Sequence, residues 1–190
     1  VSVKIDDEFM RAVESEELYT QQYPVYSDNP MVSQQVNAKA LWNKIIHNAW
    51  SSAEPGVLFW DTILRESVPD CYADLGYRTV STNPCGEIPL CPYDSCRLLA
   101  INLYSYVEKP FTTEAKFNFD LFRKHVGLAQ RIMDDIIDLE IEKIEKILDK
   151  IKSDPEDNIV KRTEYELWDK IMNKTLKGRR TGVGVTAEGD

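Results

Sequence analysis

From Asn118 or Asp120 onward the chain carries its longest periodic segment, in which Phe122, Val126, Ala129, Met133, Ile136, Ile137, Ile144, Ile147, Leu148 and Ile151 recur at helical spacing. That stripe predicts one helix of about twenty-five to thirty residues with an apolar face that must be covered. Its far half alternates acid and base through Glu140, Glu142, Lys143, Glu145, Lys146, Asp149, Lys150 and Lys152. This pattern reads as a solvated face with i,i+4 pairs, a coiled-coil partner being the alternative. Ser153-Asp154-Pro155 ends the helix, and Pro155 suits the first position of the next. The second helix carries Val160, Leu167, Trp168, Ile171 and Leu176, with Gly178 placed for a left-handed cap. Residues 118–177 are therefore expected to form an antiparallel helical hairpin.

The earlier part of the chain is largely helical scaffold by the same reasoning. Asp6 or Asp7 can cap a short helix toward Glu17, with Phe9, Met10 and Val13 on its apolar face. Tyr19 to Pro30 reads as a loop. Ser33 can cap a helix containing Val36, Ala40, Leu41, Ile45 and Ala49, which Glu54-Pro55-Gly56 stops. Val57 to Leu64 is expected as a short helix or strand, Tyr77 to Val80 as a short strand, Leu98 to Leu103 as an apolar stretch, and Lys109 to Thr113 as a break.

The run Ser81-Thr82-Asn83-Pro84-Cys85-Gly86-Glu87-Ile88-Pro89-Leu90 carries the chemistry. Pro84 and Pro89 bias their predecessors toward extended backbone and Gly86 permits a bend, so the run reads as a projecting loop. In an extended stretch alternate side chains share a face, which would set Asn83, Cys85 and Glu87 toward one small molecule. They offer an amide, a sulfur and a proton acceptor. A bare Asn-x-Cys-x-Glu pattern is also what an incidental cysteine in a turn would give.

Eleven positions after Cys85 comes Cys96, within Pro92-Tyr93-Asp94-Ser95-Cys96-Arg97-Leu98-Leu99-Ala100-Ile101-Asn102-Leu103. The whole passage resembles the active-site loop of ribonucleotide reductase large subunits. Val1-Ser2-Val3 with Asp7-Glu8-Phe9-Met10, Glu54-Pro55-Gly56-Val57-Leu58-Phe59, and Lys177-Gly178-Arg179-Arg180-Thr181-Gly182-Val183-Gly184-Val185-Thr186 fit the same family in the same order. The resemblance implies an α/β, predominantly helical fold: residues 1–190 as a single partial catalytic-barrel domain, a segment of the family's ten-stranded α/β barrel. Residues 81–96 would be the loop that projects the radical cysteine into its centre. Gly182-Val183-Gly184-Val185 would turn into a barrel strand, since it lacks the third glycine of a dinucleotide fingerprint.

The resemblance also implies roles. Cys85 would hold the thiyl radical that takes the 3′ hydrogen of the ribose. Glu87 would be the base for the 3′ hydroxyl proton, Asn83 would hydrogen-bond the substrate hydroxyls, and Cys96 would be one of two thiols that reduce the sugar. The family's second redox cysteine lies upstream, and residues 1 to 70 contain none. The family's phosphate-binding loop and effector region also lie outside the matched part. The chain thus reads as a middle piece of a larger reductase, expected to show no turnover alone, to expose severed strand edges, and to self-associate or be marginally stable.

The short gap between the two cysteines and the wording Asn-Pro-Cys-Gly-Glu look most like the adenosylcobalamin-dependent reductases, in which the cofactor generates the radical on Cys85. The alternative is the class whose radical comes from a separate metal-containing subunit. A third reading is a non-catalytic structural or assembly module with inert thiols. Expected partners are a ribonucleoside di- or triphosphate, a thioredoxin-like reductant, the remainder of the reductase chain and a second copy in a homo-oligomer.

Composition limits the other classes. The net charge of −9 argues against a nucleic-acid surface. No apolar stretch approaches the roughly 20 residues that span a bilayer, and no signal-peptide pattern opens the chain, so a cytoplasmic setting is expected. Cys71, Cys85, Cys91 and Cys96 form no Cys-x-x-Cys pair, which disfavours a structural zinc site, and a cytosolic setting disfavours structural disulfides. Cys91 could pair with Cys96 under oxidation, Cys71 is expected to be a structural thiol, and His47 and His125 are expected to pack within helices rather than bind metal.

Overall fold

The computed structural model describes residues 1–189, which fall into two compact units, Val1–Pro92 and Tyr93–Asp190. Both mix helices with short strands. In chain order the first unit contains β1 (Ser2–Ile5), α1 (Asp7–Ser15), β2 (Leu18–Tyr23), β3 (Val32–Asn37), α2 (Ala38–Ser52), β4 (Gly56–Phe59), α3 (Trp60–Glu66), a 3-10 segment (Val68–Leu75), β5 (Ser81–Thr82) and β6 (Pro89–Leu90). The second holds β7 (Leu98–Asn102), a 3-10 turn (Leu103–Tyr106), β8 (Val107–Glu108), β9 (Lys116–Phe117), α4 (Phe119–Ser153), α5 (Asn158–Gly178) and β10 (Gly182–Thr186).

In the first unit β1 pairs in parallel with β4, Ile5 opposite Phe59. Parallel neighbours need a long crossover, and α1 and α2 supply it. Asp6 caps α1 by accepting from the Phe9 amide at 2.7 Å, and Asn37 caps α2 by accepting from the Ala40 amide at 2.8 Å. The two helices bury Phe9, Ala12, Val13, Ala38 and Ile45 against Ile5 of β1. Tyr19 closes this core edge-on to Phe9 and donates its hydroxyl to Asp6; burial, then that carboxylate, push its phenol well above the ordinary value.

The stretch expected as a loop after Tyr19 is partly strand, and the helix expected from Ser33 starts later. Leu18–Tyr23 and Val32–Asn37 form an antiparallel hairpin with Leu18 opposite Asn37. Polar pairs face each other across it: Gln34 donates to Gln21 at 2.9 Å, and Gln35 to Thr20 at 2.7 Å. Because most of these residues are exposed, the strands carry no alternation of apolar and polar positions that a sequence could reveal. Asn37, not Ser33, caps the helix. Tyr77 to Val80 is likewise irregular, and the strand of this region is confined to Ser81–Thr82.

In the second unit β7 and β10 are parallel, Leu98 opposite Gly182 and Asn102 opposite Thr186, and the crossover between them contains α4 and α5. Ile101, Tyr106 and Ala129 form the core with Leu99, Phe117, Phe122 and Val183 around them. The Tyr106 hydroxyl lies 3.0 Å from His125 Nδ1. Farther along α4, Met133, Ile137, Ile144 and Ile151 are buried, Ile137 completely.

Asn118 caps α4, accepting from the Leu121 amide at 3.0 Å, but the helix runs 35 residues, longer than the stripe alone implied. It ends at Asp154 as expected. α5 then begins at Asn158 rather than at Pro155, because the Asp157 carboxylate caps it by accepting from the Ile159 amide at 2.8 Å. Arg179, rather than Gly178, takes the left-handed cap with φ 41°. Its guanidinium compensates by gripping Asp134 at 2.6 Å and Asp138 at 2.9 Å, and these carboxylates raise its pKa further above the ordinary value. The end of α5 therefore meets the middle of α4, while Lys152 near the end of α4 lies over the Tyr165 ring. The two helices run in opposite directions.

Five two-stranded sheets account for all strand pairing among the described residues, and no sheet closes. Large apolar side chains stand exposed in both units, among them Trp50 at 81% and Phe111 at 87%. No helix among the described residues is long and apolar enough to cross a membrane.

Candidate active site

The loop between β5 and β6 closes on Asn83. Its carbonyl accepts from the Gly86 amide at 3.0 Å, its own amide donates to the Ile88 carbonyl at 3.2 Å, and its side-chain oxygen accepts from the Ile88 amide at 3.0 Å. Pro84 and Cys85 thus occupy the corner of a tight turn, and Gly86 leaves it with φ 86°, a conformation that strains any side chain. A Cβ on Gly86 would also come within 3.2 Å of Leu58 on β4. The expectation of an extended run with alternating faces is thereby corrected: Gly86 and the side-chain oxygen of Asn83 favour closure. Cys85 and Glu87 are exposed and Asn83 is half-buried.

Two side chains remote in sequence hold the stem of this loop. Asp70, in the 3-10 segment, accepts from the Thr79 amide at 3.0 Å and from its hydroxyl at 2.5 Å. Thr79 is 3% exposed and lies 3.3 Å from the Ser67 hydroxyl as well. Burial of the Asp70 carboxyl works against its charge, but the bonds from Thr79 and Ser67 and the nearby Arg78 outweigh it and hold its pKa below the usual carboxylate value. Lys4 on β1 donates to the Val80 carbonyl at 2.5 Å and lies 3.6 Å from the Trp60 ring centroid, where burial lowers its pKa. The Val80 amide then donates to the Leu90 carbonyl at 2.9 Å, closing the base of the loop.

Cys96 belongs to the second unit, in the segment that enters β7. Asn83, Cys85 and Glu87 therefore share one short loop, whereas Cys96 sits on a different frame. Its neighbours are strongly anchored. Arg97, whose side chain is 6% exposed, donates to Glu140 of α4 at 2.6 Å and to the Arg180 carbonyl at 3.1 Å, with Thr175 of α5 at 3.5 Å. Ser95 and Thr175 each donate to the other oxygen of Glu140 at 3.3 Å. Asp94, also buried, pairs with the Arg180 guanidinium. The acid–base alternation of the sequence sets Glu140 on the solvated face of the long helix. The structure corrects that, because the face of α4 bearing Glu140 is turned toward a buried guanidinium.

Nothing local in the sequence marks Asp70, Thr79, Arg97 or Glu140 as supports of the two thiol segments. Only Arg97, directly after Cys96, stood near a chemical motif, and its carboxylate partner is 43 positions away. No disulfide joins the four cysteines; Cys91 is buried and Cys71 exposed. His47 lies in α2 beside Trp50, with ring centroids 5.7 Å apart. No cluster of three potential metal ligands occurs among the described residues.

The profile of the ribonucleotide reductase barrel domain matches residues 1–190. A vitamin B12-dependent ribonucleoside-diphosphate reductase of Thermoplasma acidophilum is 35% identical over 77% of this chain and 18% of its own length. The protein of the same name from Mycobacterium tuberculosis is 34% identical over 73% of this chain and 18% of its own. A vitamin B12-dependent ribonucleotide reductase of Streptomyces clavuligerus is 34% identical over 70% of this chain and 13% of its own. The chain thus spans less than a fifth of the length of these relatives. With a match along its whole length, this chain belongs to the ribonucleotide reductase barrel-domain family.

Proposed function

We propose that this chain is the part of an adenosylcobalamin-dependent ribonucleotide reductase that carries the radical cysteine, with both units as parts of one catalytic barrel. The observation that carries the reading is the closed loop at Asn83–Ile88, with Cys85 and Glu87 exposed on it, in a chain matched by the family from end to end.

In this reading Cys85, as a thiyl, takes the hydrogen atom from C3′ of a bound ribonucleotide. Glu87 accepts the 3′ hydroxyl proton, which a carboxylate does well only when it is hydrogen-bonded to its proton source. The Asn83 side-chain oxygen is committed to the Ile88 amide, so its NH2 group is the part that would reach the substrate hydroxyls. Loss of the 2′ oxygen as water requires two electrons and two protons. Cys96 and a second thiol supply them and become a disulfide. Cys85 returns the hydrogen atom to C3′, and a dithiol protein of the thioredoxin type restores the Cys96 pair.

Adenosylcobalamin, when bound, supplies the carbon radical that converts a thiol to a thiyl. The donor set on this chain fits that role through Cys85, whose exposed sulfur at a loop corner can be approached from outside the loop. The remainder of the reductase supplies the second redox thiol, the phosphate site and the cover that excludes water. The substrate is a ribonucleoside di- or triphosphate, the assembly a homo-oligomer, and the setting cytoplasmic.

The test is nucleotide reduction by the reductase that contains this segment, with Glu87→Gln beside the unaltered protein. Loss of about 10²-fold or more in kcat with KM for the nucleotide little changed supports a base at Glu87. Unaltered kcat removes Glu87 from the reaction.

A further inference from the structure

Cys96 lies between two residues whose side chains end on the same carboxylate. Ser95 donates to one oxygen of Glu140 at 3.3 Å, and Arg97 donates to the other at 2.6 Å. Ser95 and Arg97 both reach α4 and so share one side of the segment leading into β7. Fixing Ser95 and Arg97 on one side therefore turns Cys96 to the other, in keeping with its exposure. A slip of one residue would bring the thiol against α4 and turn the flanking pair outward. The Gly182 amide, which donates to the Arg97 carbonyl at 3.0 Å, ties the same residue to β10. A Cβ at Gly182 would stand 2.9 Å from that carbonyl, so the close approach depends on glycine.

We propose that Glu140 is a positioning residue for Cys96, acting through Arg97 and Ser95 as a register lock that aims the thiol. This deepens the reductase reading and rests on the redox role given there to Cys96. The ion pair is well placed for the task. The Arg97 side chain is 6% exposed, and its fork is satisfied by Glu140, the Arg180 carbonyl and Thr175 together. A buried guanidinium has no inexpensive alternative position once its carboxylate is lost. The long helix α4 and its partner α5 thereby acquire a purpose beyond packing, since Glu140 and Thr175 carry the fold of the hairpin to the segment that bears the thiol.

The experiment compares steady-state reduction by the full-length reductase bearing Glu140→Gln, Arg97→Gln, both together, and Cys96→Ser. Glutamine at 140 keeps an acceptor for Ser95 but loses the charge that holds Arg97. The expected result is a kcat lower by about tenfold or more with the nucleotide KM unchanged, and partial recovery in the double variant, where two neutral amides can bond again. Should Glu140→Gln fail to fold, Arg97→Lys keeps the charge while losing the fork, and a fall of several-fold in kcat alone is expected. A kcat equal to that of the unaltered protein in Glu140→Gln or Arg97→Lys, with Cys96→Ser inactive, overturns the positioning role and leaves the reductase reading intact. Full activity in Cys96→Ser overturns both.

Discussion

Replacing Asp70 by alanine removes both acceptors that Thr79 uses at the stem of the Cys85 loop, at 3.0 Å and 2.5 Å. Thr79 is 3% exposed, so its amide is left without a carboxylate in a site that water enters poorly. Hydrogen bonds to a charged group contribute about 1.5–3 kcal/mol each, and an orphaned buried donor costs about 1–3 kcal/mol. Asp70 itself is partly exposed, which lets water recover part of the loss, so the expected destabilisation is about 2–3 kcal/mol at pH 7. Asparagine can still accept from the amide, and its effect should be about half as large.

The effect has a pH signature. The folded-state pKa of Asp70 is depressed, so its charge contributes stability that is present above the ordinary value of about 3.9 and is lost as pH falls through the folded value. Urea unfolding followed by tryptophan fluorescence suits the measurement, because Trp42, Trp50 and Trp60 all lie in the unit that holds Asp70. The gap between the unaltered chain and Asp70→Asn should be constant from pH 7 to about 5 and narrow below about 4. A loss under about 0.5 kcal/mol in Asp70→Ala, or a gap as wide at pH 3 as at pH 7, would mean that the Asp70 carboxylate does not hold Thr79.

Other substitutions test the frame around the thiols. Met133→Ala, at a side chain 1% exposed on α4, should destabilise the second unit by about 2–5 kcal/mol in chemical denaturation; a loss below about 1 kcal/mol would mean that the site collapses without a cavity. Gly182→Ala should weaken the β7–β10 pairing, because the added carbon meets Leu98 at 2.8 Å and the Arg97 carbonyl at 2.9 Å; faster amide exchange at the paired residues is the readout, and unchanged exchange would show that the strands can part at no expense. Gly86→Ala should raise the energy of the Cys85 turn by about 1–2 kcal/mol, since φ 86° strains any residue that carries a Cβ; an equal melting temperature would contradict the turn geometry.

Elements whose signals are local were legible before the structure was known. Asp6 and Asn118 cap the helices expected to start there, and the Met133, Ile137, Ile144 and Ile151 row is buried along the long helix. Signals that depend on partners were not. The Leu18–Tyr23 strand shows itself only through its pairing with Val32–Asn37, both largely exposed, so no alternation marks it. Pro155 suits a first helical position and Gly178 a left-handed cap by general preference, yet α5 starts at Asn158 behind an Asp157 cap and ends on Arg179, because Asp157 meets the Ile159 amide and Arg179 meets Asp134. In the proposed site, Cys85, Glu87, Asn83 and Cys96 are named through the family resemblance of their runs of residues. Asp70 and Glu140 are not, because nothing local distinguishes a carboxylate that ends on a buried threonine or arginine from one that faces water.

We propose that Cys85 carries the radical for nucleotide reduction. The most direct test is nucleotide reduction by the complete reductase, with and without adenosylcobalamin, alongside Cys85→Ser. The account predicts turnover that requires both the cofactor and the cysteine. Turnover in Cys85→Ser equal to that of the unaltered protein would contradict it, and turnover that needs Cys85 but not the cofactor would transfer the radical's origin to a separate subunit.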